Sequence, residues 1–339
     1  MGYFDYSREP KSDIAFVDMK SFYASVECVK RGLHPLKTSL CVMSRADNST
    51  GLILASSPMF KKIFGKSNVG RAYDLPFDIK TRKFSYYNAR KQGLPTDSDY
   101  VRYIEDWAQV TLIVPPRMDE YIAVNMEIQR IFQNYGSPDD IYPYSIDEGF
   151  IDLTSSLNYF IPDKNLSRKD KLDLLSARIQ RDIWRQTGIY STVGMSNANP
   201  LLAKLALDNE AKHTPTMRAN WSYKDVEEKV WAIPKMTDFW GIGRRMEKRL
   251  HALGIFSIKE LAASNPDQLQ KVLGQAGLRL WFHANGIDES NVHKPYKAKS
   301  QGLGNSQILP RDYVKLRDIE IILREMAVSY THLTLPTIC

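Results

Sequence analysis

The stretch YSIDEGFIDLT, residues 144–154, sets Asp147 beside Glu148 inside an alternating, strand-like segment. Neighbouring side chains on a regular strand point to opposite faces, and neighbouring like charges repel. We read the segment as strand–turn–strand, with Gly149 permitting a tight or bulged backbone. A second acid lies upstream. The apolar run 14–17 leads into Asp18, and an amphipathic helix follows with Phe22, Val26 and Val29 on its apolar face. If the two segments pair, Asp18 faces Asp147 and Glu148, and three carboxylates converge. Such a cluster is costly unless cations occupy it, and hard oxygen donors suit Mg²⁺ or Mn²⁺. Two such ions are the usual machinery of in-line phosphoryl displacement. The competing reading makes the acidic pair a solvated turn and Asp18 a helix N-cap.

The 339-residue chain is 43% hydrophobic, enough for sizeable cores and two to four domains. Its net charge of +7 and pI of about 9.1 suit a polyanionic partner such as nucleic acid, or a solvated basic surface. Cys28, Cys41 and Cys339 have neither zinc-site spacing nor the density of a disulfide framework, which favours a reducing cytoplasm. The opening MGYFDYSREPKSD has no apolar signal core, and no run approaches transmembrane length, so no membrane association is expected.

Along the chain, SLCVM and LILAS read as short strands, and residues 60–110 as a small, polar, loop-rich subdomain. Residues 116–136 form a helix with Ile122, Met126 and 128–132 as its apolar positions. A charged helix, the strand STVGMS and the helix NPLLAKLALDNEAK follow the acidic segment, and the pattern turns wholly helical from Trp221. This order gives an α+β fold with one sheet covered by helices. Near Tyr296 a linker leads towards a further β-containing unit, and a helix follows; SYTHLTLPTIC reads as unrelated to it. Ser56 and Lys62 flank the end of the LILAS strand as a triphosphate cradle or plain surface charge. Lys204 is placed to meet a phosphate, or to sit solvated on its helix. FWGIGRRMEKRLHALGI, residues 239–255, reads as helix–turn–helix. Gly241, Ile242 and Gly243 turn backbone N–H groups outward there, and the basic Arg244, Arg245, Lys248 and Arg249 follow.

Taken in order, DMKSFYASVE, YSIDEGFIDLT, VGMSNANPLLAKLA and FWGIGRRMEKRLHALGI resemble the Y-family translesion DNA polymerases, nearest the UmuC-like (ImpB/MucB/SamB-type) bacterial branch. The likeness covers about residues 12–326. It implies a right-hand polymerase: a ferredoxin-like palm at 12–28 and 110–220, small fingers at 29–109 and a helical thumb at 221–294. A linker and the start of a little finger would occupy 295–326, with a non-native tail at 327–339. It implies low-fidelity, template-directed DNA synthesis across damage with two Mg²⁺ ions, Mn²⁺ being possible. Asp18 and Asp147 would bridge the ions, Glu148 would complete the shell, and Met19 would lend its carbonyl. Phe22 and Tyr23 match the aromatic pair of the first motif, Tyr23 as the steric gate against a 2′-hydroxyl. Ser56, Lys62 and Lys204 match triphosphate-holding positions, and Gly241–Gly243, with Arg244 and Lys248, the DNA backbone contacts. Primed template DNA and deoxynucleoside triphosphates would be the substrates, with a sliding clamp and recombinase-type proteins as accessory partners. The chain departs from the pattern at Met59, where many relatives carry Tyr, and at Trp240, where the turn usually opens with Pro. Residues 76–110 are longer than in compact relatives, and the little finger stops soon after its first strand and helix. The rival readings are another two-metal enzyme, a nuclease or nucleotide cyclase, and a non-catalytic DNA-binding scaffold.

Overall fold

The computed structural model describes residues 4–46, 51–65, 70–294, the single positions 302, 304, 306, 307 and 309, and 312–338. Contacts divide the chain into two units, 1–294 and 295–339.

In the first unit, strand β1 (Ile14–Met19) is buried along its whole length except at Asp18. Helix α1 (Phe22–Val29) follows. Strands β2 (Leu40–Met43) and β3 (Ile53–Ser56) lead into helix α2 (Pro58–Phe64), helix α3 (Tyr86–Lys91), helix α4 (Ser98–Val110) and strand β4 (Leu112–Val114). Helix α5 (Met118–Gln133) precedes strands β5 (Ile141–Pro143) and β6 (Glu148–Asp152). Helices α6 (Leu157–Phe160) and α7 (Arg168–Thr187), strand β7 (Ser191–Ser196), helix α8 (Pro200–Asn209) and strand β8 (Arg218–Asn220) complete this half. Ser167 caps α7 by accepting from Asp170 N–H, and Gly188 ends it in the left-handed region at φ 71°.

Two sheets result, where the sequence suggested one. The larger runs β5-β6-β1-β7-β8, with β1 antiparallel to both neighbours; the smaller runs β3-β2-β4. Because β4 pairs parallel with β2, residues 112–114 belong with the smaller sheet. Alternation along β1 sends Ala15, Val17 and Met19 into one core with α1, α5 and α7, while Ile14 and Phe16 pack with Ala203 and Leu207 of α8. Asp18 therefore shares the α8 face. Gly194 lets α8 lie directly on β7: an added Cβ would stand 2.1 Å from the Ala203 carbonyl oxygen and 2.4 Å from Leu207 N.

Three expectations are corrected. Residues 60–110 are not loop-rich, because α2, α3 and α4 close their own core around Phe60, Phe64, Phe77, Phe84, Ile104 and Ala108. On α5 the buried stripe is Tyr121, Val124, Ile128, Ile131 and Phe132, which leaves Ile122 and Met126 about half exposed. The correct stripe follows the i, i+3, i+4 spacing from Tyr121. The bend near the acidic pair lies at residues 144–147, where the Glu148 carbonyl accepts from Tyr144 N–H at 2.9 Å and Ser145 N–H at 3.0 Å. Gly149 sits inside regular β6, paired with Val17 and Pro143, so the bend does not rest on it.

Beyond β8, a π-helical turn (Val226–Val230) and a 3₁₀ turn (Met236–Asp238) lead to helix α9 (Arg244–His251), helix α10 (Ile258–Ala263), helix α11 (Pro266–Leu273) and helix α12 (Gln275–Ala284). Their core is continuous with Leu201, Leu202 and Leu205 of α8. The helix expected ahead of Gly241 is only the single 3₁₀ turn.

The second unit contains helix α13 (Leu316–Ile338), which continues through the segment read as unrelated to it. Extending a nucleated helix costs little per residue, although Pro336 works against its last turn. The strand expected ahead of α13 falls mostly outside the described residues, as does Cys339.

Candidate active site

Pairing of β1 with β6 puts Asp18 directly opposite Glu148, and pairing with β7 puts it opposite Thr192. Directly opposed residues of an antiparallel pair share a face, so the two carboxyls meet. Burial pushes the Asp18 carboxyl up to about 7, Lys212 pulls against this, and Glu148 and Asp147 add to the rise. Asp147 ends the turn, and its carbonyl accepts from Met19 N–H at 2.9 Å. Its carboxylate accepts from Ser145 Oγ at 2.9 Å. Burial raises its pKa too, and Glu148 adds to the effect.

Two lysines close a ring of charge around this corner. Lys212 Nζ lies 3.5 Å from Asp18 and 2.8 Å from Asp208. Lys204 Nζ lies 3.3 Å from Asp208 and 3.0 Å from Glu148, with the Phe16 ring centroid 4.5 Å away. Lys204 is thus buried against Glu148 and lines neither cavity described below. Lys212 was not picked out in the sequence. It reaches Asp18 because a 3₁₀ turn, Ala211–His213, folds the chain back after α8, a geometry no local pattern announces.

The acidic corner opens into a cleft of about 750 Å³ lined by Asp18, Met19, Phe22, Tyr23, Ser56, Lys61, Asp147, Thr192 and Lys212, among others. Ser56 is buried in β3 at its edge. Phe22 is core on one side, while Tyr23 is half-buried and its ring lies flat on Tyr121. Ser21 enters α1 in the left-handed region at φ 49°, an uncommon conformation for a residue with a side chain. Lys62 is exposed and lies outside the cleft; Lys61 enters it instead, with Nζ 3.2 Å from Ser21 Oγ and its pKa lowered by burial. Periodicity carries the reason. Phe60, Ile63 and Phe64 face the core of α2, Lys62 falls on the opposite side and Lys61 on the flank. Met59 packs against the core of the small sheet.

A second cavity, about 1040 Å³, lies between the end of α8 and the Gly241–Gly243 turn, and His213 lines both. Gly241 takes φ +96°, Gly243 is the N-cap of α9, and Ile242 is buried beneath them. Arg244, Arg245, Lys248 and Arg249 are exposed. Trp240 wedges between Tyr144, at 6.4 Å, and His283, stacked at 6.0 Å.

In donor type the corner fits a hard divalent cation. Paired oxygen acids are held together out of water, and lysine ammonium groups have been drawn in beside them. Among the described residues, however, no three His, Cys, Asp or Glu side chains stand arranged to hold a metal ion.

The profile of the impB/mucB/samB family matches residues 84–208, and that of the DNA polymerase-iota thumb domain matches 237–288. UvrX of Bacillus subtilis, named for UV-damage repair, is 35% identical over 95% of this chain and 67% of its own length. DNA polymerase IV 2 of Halalkalibacterium halodurans is 31% identical over 92% of this chain and 66% of its own. The chain belongs to the Y-family DNA polymerases. Among solved structures, a Dbh–Dpo4 chimera of that family superposes with a TM-score of 0.58 at 22% identity, over 84% of this chain and 70% of the chimera. DinB from Sulfolobus solfataricus gives 0.56, also at 22% identity, over 83% and 69%. The right-hand fold of a Y-family polymerase, thumb included, is therefore the fold of this chain. The chain spans about two thirds of the length of these curated relatives. No helix among the described residues is long and apolar enough to cross a membrane.

Proposed function

We propose that this Y-family chain carries out template-directed, low-fidelity DNA synthesis across damaged template. The observation that carries the reading is the register that sets Asp18 against Glu148, beside Asp147, at the head of a cleft sized for a nucleotide. Asp18, Asp147, Glu148 and the Met19 carbonyl would hold two Mg²⁺ ions, with Mn²⁺ able to substitute. Bound there, the ions supply a lowered pKa at the primer 3′-hydroxyl and charge neutralisation at the triphosphate. The primer 3′-oxygen forms the bond to the α-phosphorus as the bond to pyrophosphate breaks. Lys61 and Lys212 face the triphosphate and meet charge on the leaving group; Ser56 orients it. Lys204 holds Glu148 in place from behind. Tyr23 closes the sugar side of the cleft. The Gly241–Gly243 turn and the basic face of α9 take backbone phosphates of primed template DNA. The buried free thiols Cys28 and Cys41 suit a cytoplasmic setting. A sliding clamp and recombinase-type accessory proteins enter as partners on the family likeness alone.

Primer extension with Mg²⁺ and deoxynucleotides tests this. Extension by the wild type should vanish in Asp147→Ala while DNA binding persists. Near wild-type extension by Asp147→Ala sinks the assignment. Primer degradation or a cyclic product would favour a nuclease or cyclase instead, and DNA binding without extension a scaffold.

A further inference from the structure

Beneath Tyr23 lies a polar assembly centred on a buried carboxylate, and it meets the cleft only through the Tyr23 ring. The Tyr23 ring lies on that of Tyr121 with centroids 4.3 Å apart and planes 12° from parallel. Tyr121 is fully buried, and its hydroxyl donates to Glu27 Oε1 at 2.8 Å. The Glu27 carboxylate is itself buried, and Arg117 grips it with two bonds of 2.9 Å, Nε to Oε1 and Nη2 to Oε2. Arg31 makes a further ion pair with the same carboxylate. Burial acts to raise the Glu27 pKa, but the bonds from Arg117, Arg31 and Tyr121 outweigh it and hold the group ionised. None of Glu27, Arg117 and Tyr121 lines the nucleotide cleft.

Glu27 is buried while Arg117 reaches it from the surface, and an ion pair on a buried carboxylate often adds little net stability, so its better-attested use is to fix a position. What this one holds is the hydroxyl end of Tyr121, whose fully buried ring is the surface on which Tyr23 lies. We infer that Tyr121, anchored by the Glu27–Arg117 pair, is a positioning residue that sets the Tyr23 ring and thereby the discrimination between deoxyribose and ribose. The inference rests on the proposed role of Tyr23 at the sugar. A ring that must exclude one hydroxyl has to be placed to within a fraction of an ångström, because a ring free to tilt opens room for it. Among the described residues, the other aromatic neighbour of Tyr23 is Phe22, tilted at 50° with its centroid 5.9 Å away.

The test is the ratio of kcat/KM for a deoxynucleotide to that for its ribonucleotide, measured on primed template DNA with Mg²⁺. Wild type, Tyr23→Ala, Tyr121→Leu and Tyr121→Phe are compared. Tyr23→Ala should collapse the ratio. Tyr121→Leu, which removes the stacking plane, should lower it about tenfold or more, with deoxynucleotide incorporation within about threefold of wild type. Tyr121→Phe keeps the plane and loses only the anchor to Glu27, so it should lower the ratio by a smaller factor. Equal losses for both sugars in the Tyr121 variants would mark a purely structural role and overturn the inference. Should Tyr121→Leu fail to fold, Tyr121→Phe decides alone, and an unchanged ratio overturns it. A ratio that responds to Tyr23→Ala but to neither Tyr121 change removes the inference and leaves the gate. A ratio unmoved by Tyr23→Ala removes both.

Discussion

Asp18 stands across from Glu148 with only 16% of its side chain exposed, and the nearest opposite charge, Lys212, is 3.5 Å away. Its folded pKa, about 7, lies above the unfolded value, so the folded state binds this proton more tightly. The linkage sign follows. The cost of Asp18 to stability grows as pH rises from the ordinary Asp range towards 7, and is fully present above it. Asp18→Asn should therefore raise the melting temperature in divalent-free buffer while abolishing extension. The gain should be on the order of 1–3 kcal/mol near pH 8 and smaller near pH 5.5. An equal gain at both pH values, read by thermal melts, would remove Asp18 as the source of strain. At this scale the sequence was informative about acids and less so about bases. Asp18, Asp147 and Glu148 announced themselves because neighbouring like charges in an apolar, strand-like setting need a reason. Lys61 was legible too, since the α2 periodicity puts it on the flank of the buried stripe and Lys62 on the opposite side. Lys212 was not, since its approach to Asp18 depends on a reversal of the chain after α8.

Strand β7 and helix α8 meet more closely than side chains allow, and Gly194 is the reason. With Ala203 O at 2.1 Å and Leu207 N at 2.4 Å from any added Cβ, the obstruction is backbone and cannot rotate away. Gly194→Ala should cost about 2–4 kcal/mol or more and displace Lys204 from Glu148. Denaturant titration would show a lower midpoint, and an unchanged midpoint would refute the close packing. Element positions were read well where periodicity was clean: β7 falls where STVGMS placed it, and α8 starts where NPLLAKLALDNEAK placed it but stops at Asn209, ahead of the 3₁₀ turn. They were read poorly in 60–110. There α3 and α4 are short or polar-faced, and the core they share forms only when α2 brings in Phe60 and Phe64.

Across the whole first unit, the segment ahead of β1 and the larger sheet are tied to the helical part after β8 at several points. Phe4 and Tyr6, ahead of β1, pack on Trp281 and Tyr223 at 5.3 and 4.9 Å, and Tyr6 donates to the Asn285 carbonyl at 2.9 Å. Trp240 joins Tyr144 to His283. The exposed basic residues of α9 therefore sit at a set position beside the second cavity. Replacing both Arg244 and Lys248 by Ala should weaken binding of duplex DNA and flatten the slope of log K against log salt by about 2. Fluorescence anisotropy over a salt series reads this, and an unaltered slope would place the phosphate contacts elsewhere. Neither the aromatic strap nor the Trp240 wedge was legible, because their partners lie far along the chain.

By itself the sequence determined the acids, the strand and helix order around them, and the family, since each depends on residue type and short spacing. The tertiary structure decided which cations face those acids, that Asp147 turns towards Ser145, and that Tyr23 rests on Tyr121. Those outcomes depend on register and on the approach of distant segments, and a one-residue slip in β1 would have sent Asp18 to the other face of the sheet.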